Sequence, residues 1–262
     1  MFRKVPVPEF ESLRLALLLL MVTTTAACDM TTSDPHPPFH GTIFIDPDII
    51  TADDPTAFVG LKYTGRGERS MFDRRGDRFV ALEPYLFVAR YDDGKKIEIQ
   101  VNPEFGSVEA AEEQAAFYAP VFGRLPALLR EDVKTSWIHK GDFPFGGGNN
   151  NLLIHTGRLA QEYMRDGILE EALAHEAAHT SLDRKYVNDP DWLRAQKSDP
   201  DFISVYARDN LAREDIAESY VPWLAVRYRR DRIPKKMAEQ IEQAIPARLA
   251  FFDIIPGDLH PW

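Results

Sequence analysis

The apolar positions of this chain follow one period in its first part and another in its second. Between residues 41 and 101 they fall in short runs broken by turn formers, which predicts strands at Thr42–Ile45, Ala57–Tyr63, within Arg78–Arg90 and at Lys96–Val101. Asp92-Asp93-Gly94 between the last two reads as a hairpin turn. After Asn102-Pro103 the spacing becomes helical, with Val108, Ala111, Ala115, Tyr118 and Val121 on one face. Ser107 is placed to cap that helix, and Gly123 and Pro126 to stop it. Val133–His139 and Leu152–Thr156 read as strands, the second preceded by a loop of three glycines and three asparagines at 146–151. From Asp166-Gly167 onward the pattern is mainly helical. One helix runs to about Leu182, and others are expected at Pro190–Gln196, Leu211–Arg229 with a kink or interruption at Pro222, and Pro234–Phe251. Strands first and helices later predict an α+β fold.

The first 28 residues follow a different rule. Arg3 and Lys4 precede an apolar run, Leu15 to Val22, and then small residues up to Ala27. This is the layout of a secretory signal. The only cysteine, Cys28, follows Thr25-Ala26-Ala27, which resembles a bacterial lipobox and implies lipidation of Cys28. The expectation is an exported protein held at the bacterial cell envelope by a lipid anchor, with residues 29–40, rich in Pro, Thr and Asp, as a tether. The expected organisation is then a signal at 1–28, the tether at 29–40, a β-rich region at 41–101 and a second part at 102–262. A net charge of −10 without a basic run argues against nucleic acid as a partner.

Candidate chemistry enters with His175-Glu176-Ala177-Ala178-His179. Residues four apart lie on one helix face, so both imidazoles can reach one ion. Zinc accepts neutral histidine nitrogens and can keep a position open for water, and Glu176 beside the first histidine is placed as general base. Two histidines leave the protein ligands one short. Downstream, Glu214 and Glu218 are again four apart.

HExxH followed by a helix bearing ExxxE resembles the gluzincin branch of the zincin metallopeptidases. That resemblance implies one zinc ion per chain on His175, His179 and Glu214, with Glu218 as an acid behind a ligand histidine. It also implies a small twisted sheet, a backing helix at Ser107–Phe122, an active-site helix, and an edge strand that pairs with an extended peptide or protein substrate. Leu152–Thr156 is the candidate edge strand, with the Gly/Asn loop bordering the cleft. Tyr206 is the candidate oxyanion donor, with Tyr220 and His155 behind it. Asp183, four residues after His179, rivals Glu214 as a ligand and is read as a cap or as a partner of a ligand histidine; Asp215 is a weaker rival. His36, His40, His139 and His260 read as surface or structural. The competing reading is a zincin-like surface lipoprotein that binds a partner without chemistry.

Overall fold

The two apolar runs on either side of Asp92-Asp93-Gly94 fold back on each other as a hairpin, β4 (Tyr85–Tyr91) and β5 (Lys96–Val101), with Gly94 at φ 82° in the turn. The computed structural model describes residues 36–41 and 48–262. The expected signal with Cys28, most of the tether and the strand expected at Thr42–Ile45 lie outside the described residues.

The first strand of this part, β1 (Phe58–Arg66), pairs antiparallel with β4. The run expected within Arg78–Arg90 is two strands, because Pro84 separates β3 (Arg78–Leu82) from β4. β3 pairs with β2 (Arg69–Asp73), a strand the apolar pattern did not announce, in a separate two-stranded ribbon. Beyond β5 the chain crosses over through α1 (Val108–Arg124) and the short α2 (Ala127–Arg130) and returns as β6 (Thr135–His139), parallel to β5. Ser107 caps α1 as expected, its Oγ accepting from the Ala110 amide at 3.2 Å. Gly123 lies inside α1 instead of stopping it. A side chain there would strike Thr56 and the backbone of Phe58, so the glycine lets α1 lie close against the start of β1.

The sheet ends with β8 (Asn151–His155), parallel to β6, and β7 (Gly146–Gly148), antiparallel to β8. The strand order is β1-β4-β5-β6-β8-β7, a mixed six-stranded sheet. Residues on both sides of position 101/102 therefore share one sheet. β8 is interior, buried along its whole length, and the edge strand is the glycine run, which was expected to be a loop.

The rest is helical: α3 (Arg158–Arg165), α4 (Leu169–Ala178), α5 (Arg184–Tyr186), α6 (Pro190–Ser198), α7 (Val205–Asp209), α8 (Asp215–Tyr228), α9 (Lys235–Ala244) and α10 (Pro246–Ile254). α3 escaped the sequence pattern; Asp166 ends it, and Gly167 adopts φ 66° in the turn before α4. Pro222 sits inside α8 without ending it, whereas Pro246 divides the expected last helix in two. The architecture is α+β. α1 lies against β1, β4 and β5, α4 lies against β7 and β8, and α8 packs on α4. Trp192, Tyr220, Trp223, Phe251 and Phe252 fill the space between α6, α8 and α10.

Candidate metal centre

α4 is lined with small residues. Ala172, Ala174, Ala177 and Ala178 are all buried, so the helix packs closely on its neighbours. Its contact with β7 is closest at Gly147, where any side chain would collide with the carbonyl of Glu176. After Ala178 the helix widens into a π-turn over His179–Asp183. Such turns occur often at functional sites. Thr180 holds this one to the sheet: its hydroxyl donates to the Asn151 carbonyl at 2.9 Å and accepts from the Gly148 amide at 2.8 Å.

His175 and His179 meet as expected, with their Nε2 atoms 3.1 Å apart. Glu214, the residue just before α8, brings Oε2 to 3.1 Å from His179 Nε2 and 3.5 Å from His175 Nε2. A tetrahedral ion with bonds near 2.1 Å separates its ligand atoms by about 3.4 Å. The three donor atoms match that triangle, and His175, His179 and Glu214 can hold a metal ion.

The protein also supports the far sides of the ligands. Asp183 Oδ2 lies 2.7 Å from His179 Nδ1, so the π-turn makes Asp183 the partner of a ligand histidine. Glu218 is buried, with Oε1 3.7 Å from His175 Nδ1. Its other oxygen accepts from Ser204 Oγ at 2.6 Å, while Ser204 caps α7 by accepting from the Ala207 amide. Ser204 was not singled out from the sequence. Its position as a cap just before Tyr206 was the available signal. Phe39 and His40, expected in the tether, accept backbone hydrogen bonds from Val205 and Tyr206, so this stretch braces α7 instead of hanging free.

Tyr206 donates to Glu214 Oε1 at 3.1 Å and is 38% exposed toward the cleft. Burial and the charge of Glu214 push its phenol up. Burial disfavours charge on His179, but Asp183 and Glu214 outweigh it and raise the imidazole to about 10. Burial likewise opposes charge on Glu214, yet the hydrogen bonds of His175 and His179 hold it well below the usual carboxylate range. Four carboxylates, those of Glu176, Asp183, Glu214 and Glu218, thus surround two histidines, a balance suited to a cation.

These groups face a cavity of about 340 Å³, into which Glu176 projects from α4 and which Phe145, Tyr163, Arg74 and Arg213 also line. The other candidates fall elsewhere. Tyr220 is fully buried against Trp223 and Phe252. His155 is fully buried, stacked on His139 at 5.3 Å, and its Nδ1 meets the Lys140 carbonyl. Asp215 binds Arg248 and Gln196. Comparison with protein-family models, with curated proteins and with solved structures finds no match.

Proposed function

We propose that the protein is a zinc-dependent peptidase of gluzincin type, exported and held at the bacterial cell envelope by a lipid on Cys28. The observation that carries the reading is the convergence of His175 Nε2, His179 Nε2 and Glu214 Oε2 in a cleft that also holds Glu176. The leader-like first 28 residues and their terminal cysteine support the location.

When bound by these three residues, zinc supplies Lewis acidity, polarising a carbonyl and lowering the pKa of water toward about 7. Glu176, next in sequence to His175 and lining the cleft, takes the proton of the attacking water and passes it to the leaving amine. Tyr206 turns its hydroxyl from Glu214 to the carbonyl oxygen as charge develops there. Asp183 fixes the tautomer and orientation of His179. β7 pairs with β8 on one side only, and no described strand pairs with its other side, which offers backbone partners to an extended peptide. The mixed sheet with α1 behind it, α4 carrying the histidines and α8 beginning at Glu214 is consistent with a zincin-like layout.

The test combines elemental analysis of the purified protein with cleavage of a peptide library. About one zinc per chain is expected in the wild type, with marked loss in Glu214→Ala. Glu176→Gln is expected to keep zinc while turnover falls by about 10²-fold or more. A well-folded wild type that takes up no zinc when supplied sinks the reading. Stoichiometric zinc without cleavage of any library member leaves a surface binding module.

A further inference from the structure

Arg74, in the turn between β2 and β3, has no partner among the described residues that explains it. Its neighbours do: Arg69 pairs with Glu98, and Arg75 with Asp73 and Glu104. The half-buried Arg74 side chain makes no ion pair or hydrogen bond with any described residue. The chain has 41 acidic residues against 31 Lys and Arg, so an unpaired guanidinium does not reflect a shortage of carboxylates. A half-buried guanidinium with five donors has lost hydration here without compensation from the described residues.

Its position points to what would supply that acceptor. The guanidinium lies over the backbone of Gly146, where a side chain would collide with it, so the glycine of the edge strand makes room for it. Arg74 lines the metal-site cavity and also an adjoining cavity walled by Phe72, Phe79 and Trp137. Arg213 lines both cavities too, and its largely exposed side chain pairs with Glu214, Nε to Oε1 at 3.3 Å. The two cations therefore stand where the cavities join along β7. The charge of Arg74 reaches into the cleft: at Tyr163, burial and Glu176 push the phenol up and Arg74 pulls it back.

We infer that Arg74, assisted by Arg213, is a specificity residue that binds a carboxylate of the substrate beside the metal centre, so that the preferred peptide is acidic there. The guanidinium fork matches a carboxylate in two parallel hydrogen bonds. The carboxylate belongs either to an Asp or Glu side chain or to a free C-terminus. The inference rests on the peptidase reading.

Binding is measured by calorimetry on zinc-loaded Glu176→Gln, with peptides carrying Glu or Gln at one position and a free or amidated C-terminus. The carboxylate form is expected to bind about tenfold tighter than its neutral counterpart, the typical gain from a charge-assisted pair. A preference that follows Glu assigns the side chain, and one that follows the free terminus assigns the C-terminus. Adding Arg74→Gln is expected to abolish the preference and leave neutral peptides bound as before, with Arg74→Lys restoring part of it. No preference in the Arg74 protein overturns the inference, even without the variant, and so does a preference that survives Arg74→Gln. Wild-type cleavage of the same peptides separates the two claims. Hydrolysis that ignores the carboxylate keeps the peptidase and removes the subsite. Arg74-dependent binding without hydrolysis of any peptide keeps the subsite and removes the peptidase.

Discussion

Asp183 and Glu218 touch the histidines from behind, and they do so unequally. Asp183 meets His179 at hydrogen-bond length, 2.7 Å, whereas Glu218 stands 3.7 Å from His175 and is itself held by Ser204. A carboxylate in hydrogen-bond contact with a ligand histidine orients the ring and raises its basicity, and losing it typically weakens metal binding about 10- to 100-fold. Asp183→Asn is accordingly expected to weaken zinc affinity within that range, read by competition with a chelator. An unchanged affinity would show that the π-turn orients His179 without its carboxylate. Between Asp183 and Glu214, the geometry favours Glu214 beside the two histidine Nε2 atoms, since Asp183 faces Nδ1 and Glu214 faces Nε2 of the same ring.

Between elements, the contact that shapes the cleft is α4 against β7. Three glycines in succession read as a loop with unusual backbone angles, and at Gly148, with φ 110°, the backbone does need glycine. At Gly147 the requirement is space: the strand approaches the Glu176 carbonyl so closely that no side chain fits. Gly147→Ala must move either the edge strand or the helix that carries Glu176. Overpacking of this kind costs about 1–3 kcal/mol, to be read from the urea midpoint. Turnover is expected to fall as well, because displacement of Glu176 or of the edge strand misplaces base and substrate. Wild-type stability and turnover in this variant would mean that the close approach has no consequence. The glycine run could not be read as a strand from its composition, because strand signals rest on side chains and glycine has none.

Across the molecule, the candidate metal site is tied to distant parts of the chain. Arg248 in α10 is fully buried between Asp199 and Asp215, and so anchors the residue next to Glu214. Glu171, one turn before His175, is fully buried and accepts from the Ile50 amide at 3.0 Å. Burial pushes its carboxyl up to about 8 from an ordinary 4.5, and the hydrogen bond from Ile50 only partly opposes this. The folded protein therefore binds this proton more tightly than the unfolded chain. The stability linked to Glu171 is complete below about pH 4.5 and is lost as pH rises through about 8. Glu171→Gln keeps an acceptor for Ile50 and removes the charge. Its melting temperature is expected to exceed that of the wild type by more at pH 8.5 than at pH 5.5. An equal difference at both pH values would count against a raised Glu171.

The sequence by itself determined the meeting of His175 with His179, the placing of Glu214 and Glu218 one turn apart at the start of α8, the cap at Ser107 and the hairpin at Asp92-Asp93-Gly94. Each is a relation within a few residues, where the helical period or the turn geometry leaves one arrangement. Only the tertiary structure decided that the glycine run is the edge strand, that Phe39 and His40 brace α7, that Ser204 holds Glu218, and that Arg74 stands in the cleft. The Glu171–Ile50 contact joins residues 121 positions apart. Such pairs depend on where separate elements come to rest when their apolar faces are buried together, and that packing leaves no periodic trace along the chain.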